Sequence, residues 1–365
     1  MRGVTGVGRG QRVVIAERAT GLKAGCSMPE ATSGRIIGRG LVWGALVLAA
    51  ACKESNSPPT PPSGAQRLAD RYPCDQGIAG DPAVVWAENF EEGSVSAVTS
   101  RYHDYKNPGG MALVPDKPSG SCGSASMKFT ADGGNAATQA TDLYRRFDTG
   151  QDELYVRWYA KYQAGAPWHH TGVWFGGYNP PSDWPNPQAG IRPLGNDRVS
   201  FAIEPVWGSG SPDPVLDFYN YWMKMHTCSG CGGSYWGNAL ISRTAFTASD
   251  NTWACLEVHA KLNTDMASDA GAVLEVWNND ILIQRFPDPV GIGYWVQDHF
   301  CPAGADGAQC NYSPTAAGPP DLQFRTTVDL KLNAFWPQNY ITDPVAGSVW
   351  FDDMVVAKQR IGCLR

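Results

Sequence analysis

The segment ELYVRWYAKY, residues 153–162, alternates apolar side chains with polar or aromatic ones at a period of two. Successive side chains of a β-strand point to opposite faces of the sheet, so this pattern predicts a strand with one face in a core. The apolar set is Leu154, Val156, Trp158 and Ala160, and the other set is Tyr155, Arg157, Tyr159 and Lys161.

Strand-like runs recur from Pro82 to the end of the chain, with almost no helical period. The chain is rich in Gly (41) and Pro (27), which favours short strands joined by irregular loops. Asn-Asn-Asp at 278–280 predicts a hairpin turn, because Asn and Asp tolerate positive φ. With no internal repeat, one all-β sandwich over residues 70–365 is expected. The runs are 83–90, 124–130, 142–148, 153–163, 198–207, 216–225, 253–264, 272–286, 326–336 and 348–359.

The charge of the chain excludes one class of partner. Its formal net charge is −6, with 29 basic and 35 acidic residues. Nucleic-acid binding requires a basic face to meet the phosphates, so no nucleic-acid partner is expected.

The N-terminal region carries a targeting signal. Arg35 and Arg39 precede the apolar run 41–52, which is too short to span a bilayer and ends in small residues. It resembles a bacterial lipoprotein signal with Cys52 as the lipidated residue. Ala49 stands where Leu is commonest in such signals, and ordinary cleavage within the Ala-rich segment is the alternative.

The leader and the segment that follows it predict an exported protein. Residues 1–51 are expected to be a leader. Residues 1–27 do not resemble a signal, and Met28 would begin a conventional one, so the true start of the protein is expected at Met28 rather than at residue 1. Residues 52–69 are polar and Pro-rich, as in an extended tether. We expect a monomer on the outer membrane or cell surface of a bacterium, held to the membrane only by a lipid anchor, or a secreted protein.

Eight cysteines follow Cys52, and an even number in an exported chain predicts up to four disulfides. The near pairs Cys228/Cys231 and Cys301/Cys310 are expected to close small loops, while the pairing of the other four stays open. Half a zinc site at CSGC is an alternative, but no second CxxC or HxxxH follows. The other four are Cys74, Cys122, Cys255 and Cys363.

Several strands pair an apolar face with a face of aromatic and hydrogen-bonding residues. Aromatic rings cover the apolar faces of pyranoses and polar groups bind the hydroxyls, so this pattern favours a glycan-binding groove. An ordinary solvated outer face is the alternative. The polar faces include Glu257, His259 and Lys261 in CLEVHAKL, and Asp217, Tyr219 and Tyr221 in LDFYNYW.

A set of motifs recurs in a fixed order: ENFEEG, ELYVRWYAKY, HTGVWFGGYNP, DFYNYW, WACLEVHAKLNT, AVLEVWNNDIL, KLNAFWPQNY and VWFDDMVVAKQRIG. Together, over residues 84–362, they resemble the concanavalin-like jelly-roll polysaccharide lyases of the alginate and glucuronan lyase type. The resemblance implies a concanavalin A-like β-jelly roll. The same superfamily also holds glycoside hydrolases and non-catalytic lectin-like domains, so fold alone does not fix activity.

The resemblance implies cleavage beside a uronic acid by β-elimination, with no required cofactor. Donors neutralise the uronate, a base removes the C5 proton, and an acid protonates the leaving oxygen. Tyr219 and Tyr221 match the family's paired tyrosines. His169 and His170 lie by the Gly-rich segment that often carries a catalytic lysine, which TGVWFGG lacks.

A neutral imidazole is a reasonable base near pH 7, so one of these histidines is a candidate for the missing lysine's role. The alternative is that both are loop residues that stack on Trp168 and Trp174.

Further residues are expected to bind the substrate. Arg157 and Lys161 are expected to face the same groove as the tyrosines, Arg192 is a second candidate for the uronate, and Lys224 would add to a basic patch. The remaining candidates for substrate binding are Tyr155, Tyr159, Trp174, Glu204, Glu257, His259 and Lys261.

Two other functions remain open: a non-catalytic glycan-binding lipoprotein, and a glycoside hydrolase that pairs Glu257 with Glu204 or Asp217. Retaining hydrolases of this fold place two carboxylates on one strand face, but the residue two positions after Glu257 is His259.

A structural calcium ion is a further expectation, because calcium prefers carboxylate and carbonyl oxygens. Its candidate ligands lie on the first and last strands, and ordinary polar strand ends are the alternative. They are Glu88, Asp352 and Asp353.

Overall fold

The computed structural model describes residues 66–207, 213–287, 293–310 and 318–365, which all belong to one compact unit of the chain. The predicted leader, Cys52 and the tether up to residue 65 lie outside the described residues. Within the described ranges, no helix is both long and apolar enough to cross a membrane.

Strands dominate the described residues, and the helices among them are short. The helices are α1 (Leu68–Arg71) and α2 (Val95–Thr99), with 3-10 turns at Pro73–Asp75, Ile78–Gly80 and Pro108–Gly110. The strands are β1 (Val84–Glu88), β2 (Asp104–Lys106), β3 (Met111–Val114), β4 (Ser126–Asp132), β5 (Ala140–Gln151), β6 (Glu153–Tyr162), β7 (His170–Tyr178), β8 (Arg198–Trp207), β9 (Val215–Phe218), β10 (Ala254–Lys261), β11 (Val273–Asn278), β12 (Ile281–Phe286), β13 (Gly293–Val296), β14 (His299–Pro302), β15 (Leu332–Tyr340) and β16 (Ala346–Ala357).

Two antiparallel sheets form the sandwich. The larger, eight-stranded sheet runs β12-β11-β10-β6-β16-β4-β3, with β1 also paired to β16. The six-stranded sheet runs β2-β5-β15-β7-β8-β9, and β13-β14 is a separate hairpin. The predicted all-β jelly-roll sandwich is confirmed. The predicted turn at 278–280 joins β11 to β12, with positive φ at Asn279 and Asp280.

The core lies between the sheets and follows the predicted alternation. Leu154, Val156 and Trp158 on β6 are fully buried, as are Phe201 and Ile203 on β8 of the other sheet. Fully burying one such aliphatic or aromatic side chain stabilises the fold by about 1.5–3 kcal/mol.

The Gly-rich segment that begins at His170, which was not among the predicted strands, forms strand β7. It lies between β15 and β8, with Gly172 opposite Gln338. A Cβ at Gly172 would lie 2.1 Å from the Ile203 carbonyl oxygen. The glycine therefore lets β7 and β8 approach closely, which a side chain at this position would prevent.

Four disulfides join the eight described cysteines. The two expected small loops are confirmed, and the zinc alternative for CSGC is wrong because Cys228 and Cys231 are bonded to each other. The remaining pairs, Cys74–Cys122 and Cys255–Cys363, fasten the two ends of the described unit.

Candidate active site

A groove of about 640 Å³ lies on the outer face of the six-stranded sheet. Its floor follows the strand register: Tyr340 pairs with His170, and Trp336 pairs with Trp174. Alternate residues of β15 and β7 thus point into the groove, while those between them point into the core. The aromatic lining consists of Trp174, Tyr219, Tyr221, Trp236, Trp336 and Tyr340.

His170 is held by a buried carboxylate. Its Nδ1 lies 2.8 Å from Oε1 of Glu204, and the Trp174 indole N–H donates to Oε2 over 3.1 Å. Glu204 is 1% exposed and lies beneath the groove. Each of its two carboxylate oxygens has one of these side chains as its partner. A carboxylate accepts hydrogen bonds, so Nδ1 carries the hydrogen and Nε2 is left as the basic nitrogen.

Two tyrosines stand beside this imidazole. The Tyr219 ring centre is 4.8 Å from that of His170, and the Tyr219 and Tyr221 hydroxyls are 3.5 Å apart. Burial raises the pKa of both phenols, and the neighbouring Tyr221 raises the pKa of Tyr219 further. Both are therefore neutral proton donors near pH 7. The Tyr219 ring packs on Gly237, where a Cβ would lie 2.3 Å from Cδ1.

His169 lies at the edge of the same groove. Its ring is 4.3 Å from His170 and 5.3 Å from Tyr340, and its Nδ1 is 3.4 Å from the Thr342 hydroxyl. Burial, together with the neighbouring His170, lowers the pKa of His169 to about 4. His169 is therefore neutral near pH 7, and His170 is the histidine with the buried carboxylate partner. Of the predicted stacking contacts, the one between His170 and Trp174 is formed, edge to face at 5.9 Å.

A polar row crosses the groove floor at right angles to the strands. Lys106 on β2 pairs with Asp142 on β5, Asp142 with Gln338 on β15, and Gln338 with Gly172 on β7. Asp142 is 1% exposed and its Oδ1 has no hydrogen-bond partner, while its Oδ2 lies 3.9 Å from the Lys106 ammonium. Burial raises the pKa of Asp142 to about 6.

Many of the predicted substrate-binding residues lie on the other sheet, where the terminal segments cover them. Arg157 is fully buried and pairs with Asp75. The Tyr159 hydroxyl accepts from the Leu364 N–H over 2.8 Å. Glu257 accepts from the Ile361 and Gly362 N–H groups over 2.7 and 3.0 Å. These contacts hold Asp75 and the C-terminal residues 361–364, which corrects the expectation that Arg157 faces the tyrosines.

The rest of that set is paired within the same large sheet. His259 lies between Glu275 and Glu153, at 2.6 and 2.9 Å, and stacks on Tyr155 at 4.0 Å. Lys261 pairs with Glu153 over 3.1 Å.

The remaining cations of the expected patch do not line the groove. Lys161 pairs with Asp116, and Lys224 pairs with Asp321 over 3.3 Å. Arg192 lies over the Tyr235 ring at 5.2 Å, next in sequence to the groove residue Trp236. The predicted basic patch is therefore not formed. Within the described ranges, Lys106 is the one lysine or arginine that lines the groove.

The paired-carboxylate alternative is wrong on geometric grounds. Glu257 belongs to the other sheet, and Glu204 lies beneath His170. Asp217 is fully buried and accepts from backbone N–H groups of its own strand end and of a neighbouring segment, which is a structural role. These donors are Phe218, Leu240, Ile241 and Ser242.

The expected calcium ligands Glu88, Asp352 and Asp353 are all buried. Glu88 accepts from the Phe90 N–H, Arg101 and the Tyr102 hydroxyl at 2.9–3.0 Å. Burial raises the pKa of Asp352 to about 9 and that of Asp353 to about 6. Among the described residues, no group of three or more His, Cys, Asp or Glu side chains is arranged to hold a metal. A calcium ion at Glu88 and Asp353 stays a prediction.

Several groove residues were missed by the sequence analysis. Trp336, Gln338 and Tyr340 lie at alternate positions of β15 and line the groove, but the predicted run ended at Trp336 and did not extend to Gln338 and Tyr340. Lys106 and Asp142 gave no local signal, because they meet only through the pairing of β2 with β5.

No family profile and no curated protein matches this chain. Among solved structures, alginate lyase Aly36B is 10% identical, over 77% of this chain and 99% of its own, with a TM-score of 0.47. The PL-14 alginate lyase from Aplysia kurodai is 14% identical, over 76% and 99%, with a TM-score of 0.47. The endo-beta-1,4-glucuronan lyase from the fungus Trichoderma reesei is 12% identical, over 71% and 91%, with a TM-score of 0.39. All three TM-scores lie below 0.5, so activity has to be argued from this chain's own groove.

Proposed function

We propose that the protein is a polysaccharide lyase that cleaves a uronate-containing glycan by β-elimination in the groove of the six-stranded sheet. The observation that carries this proposal is the juxtaposition of His170, fixed by buried Glu204, with the neutral phenols of Tyr219 and Tyr221. A base and an acid thus stand side by side in an aromatic groove, and no pair of carboxylates faces across it among the described lining residues.

In the proposed reaction, Nε2 of His170 removes the C5 proton of the uronate. The electron pair forms the C4–C5 double bond as the C4–O bond breaks, and a tyrosine hydroxyl protonates the leaving oxygen. A positioned acid or base of this kind contributes about 10²–10⁴-fold to a rate. Glu204 keeps the imidazole in the tautomer with a basic Nε2 and stabilises the imidazolium that forms.

The uronate carboxylate needs a donor because negative charge develops on it as the proton leaves. Gln338 is a polar candidate on the groove floor. It lies opposite Gly172, two residues along the strand from His170. Such diagonal neighbours have Cα atoms about 7–8 Å apart, within reach of a sugar ring bound between them. We assign the Gln338 amide as the donor to the uronate carboxylate. His170 takes the role of the base, which a lysine often has in the lyases that the sequence resembles.

The first test is absorbance near about 235 nm with a panel of uronate polymers, because β-elimination creates a conjugated unsaturated uronate. We expect a rise that falls about 10²-fold or more in His170→Asn and in Tyr219→Phe. Matched controls are His103→Asn, an exposed histidine outside the groove, and Tyr155→Phe on the other sheet. Equal loss in the control variants, or full activity in both groove variants, would contradict the assignment.

A further inference from the structure

A second polar centre lies in the groove, separate from His170. Asp142 is buried to 1% exposure, lines the groove, and keeps Oδ1 without a hydrogen-bond partner among the described residues. Leaving a buried carboxyl oxygen unpaired costs free energy, because its hydration is lost and not replaced. A bound ligand that donates a hydrogen bond would supply the missing partner.

The register places this centre away from the reacting bond. From Asp142 the row passes Gln338 to Gly172, and the His170 ring lies beyond, over Glu204 on β8. Two to three strand spacings correspond to about 10–14 Å. A sugar at Asp142 is therefore a different unit of the glycan from the uronate at His170.

The charges around Asp142 favour a neutral ligand. Two charged residues of β2 act on Asp142, the cation Lys106 and the anion Asp104. On β15, the neighbouring residues Gln338 and Tyr340 are uncharged. The Lys106 ammonium at 3.9 Å is offset by Asp142 itself when that carboxyl is ionised. An incoming carboxylate would thus meet an unpaired carboxylate oxygen, whereas a sugar hydroxyl would meet an acceptor beside a donor.

We infer that Asp142 and Lys106 form a distal subsite that binds a neutral sugar through its hydroxyls, Asp142 accepting and Lys106 donating. This rests on the proposed function for the position of the scissile bond. It makes the preferred substrate a mixed glycan in which the uronate at His170 is followed by a neutral sugar at Asp142.

Binding at this subsite has a defined pH dependence. A hydroxyl donor binds the ionised carboxylate, and burial holds the pKa of free Asp142 at about 6. The ionised fraction rises about tenfold between pH 5 and pH 7, so affinity for a neutral ligand should rise by up to about tenfold. A uronate at the same place would prefer protonated Asp142 and show the opposite trend.

Isothermal titration with cellotetraose, a neutral probe, and with a glucuronate tetrasaccharide tests the inference in the full protein. The glucuronate titrations use the His170→Asn variant, which should not cleave the ligand. We expect cellotetraose to bind more tightly at pH 7 than at pH 5, and Asp142→Asn to abolish that difference. Lys106→Met should weaken binding at both pH values while the difference persists.

Two results would overturn the inference: tighter binding of the acidic probe at pH 5 with no measurable cellotetraose binding, or a pH dependence unchanged in Asp142→Asn. Cellotetraose contains no uronate, so this outcome is independent of lyase activity. If absorbance does not rise with any uronate polymer but cellotetraose still binds with the expected pH dependence, the proposed reaction is overturned and the proposed subsite is supported.

Discussion

Replacing Asp142 by Asn should stabilise the protein more at neutral pH than at acidic pH. Burial raises the pKa of Asp142 from 3.8 to about 6 in the folded state. The folded protein therefore holds the proton more tightly than the unfolded chain, and stability falls as pH rises from about 4 to 6. A difference of about two pH units in pKa corresponds to about 3 kcal/mol. Asn cannot ionise, so the variant escapes this loss.

Urea denaturation of the wild type and of Asp142→Asn, at about pH 4 and pH 7 with the disulfides intact, measures the effect. The free energy of unfolding of the variant, minus that of the wild type, should be larger at pH 7 than at pH 4 by about 2–3 kcal/mol. Contributions from other titrating groups cancel in this difference. A difference that is constant with pH, or that shrinks as pH rises, would refute the account of Asp142 as a buried carboxyl with one oxygen lacking a hydrogen-bond partner.

Three further predictions follow from the geometry. Gly237→Ala places a methyl group against the Tyr219 ring and should lower kcat by about tenfold or more while circular dichroism stays native; unchanged kcat would contradict the packing argument. The double variant Cys255→Ser and Cys363→Ser opens a link between residues 108 positions apart and should cost about 2–5 kcal/mol in urea denaturation, with no loss expected if the link were dispensable. Arg157→Met leaves Asp75 without its buried partner and should destabilise the protein by about 3–5 kcal/mol without affecting glycan binding; weakened binding in the folded variant would place Arg157 in the substrate site after all.

The alternation of apolar and polar residues was sufficient to predict the β-sandwich. Leu154, Val156 and Trp158 alternate with polar residues, and that alternation alone places them in the core. The same pattern could not tell which polar face is open. Tyr155 and Arg157 are as aromatic and polar as a sugar-binding face, yet the described segments around Leu68 and Ile361 cover this part of the large sheet. That coverage depends on long-range contacts, such as the one between Arg157 and Asp75, which no local period encodes.

The candidate site was likewise only partly predictable from the sequence. His170, Tyr219 and Trp174 were candidates from the sequence, and the structure brings them into one groove, while their roles stay predictions. The hydrogen bonds from His170 and Trp174 to Glu204 could not be foreseen, because they depend on β7 lying against β8. Gln338 was missed because the predicted run ended at Trp336, whereas β15 continues to Tyr340.

The most direct test of β-elimination is mass spectrometry of products formed in H₂¹⁸O from a uronate polymer that the protein cleaves. Elimination breaks the C4–O bond without adding water. The account therefore predicts an unsaturated end group that is one water molecule lighter than a hydrolysis product, with no ¹⁸O incorporated. Saturated products that carry one ¹⁸O at each new reducing end would show hydrolysis and would contradict the roles given to His170 and Tyr219.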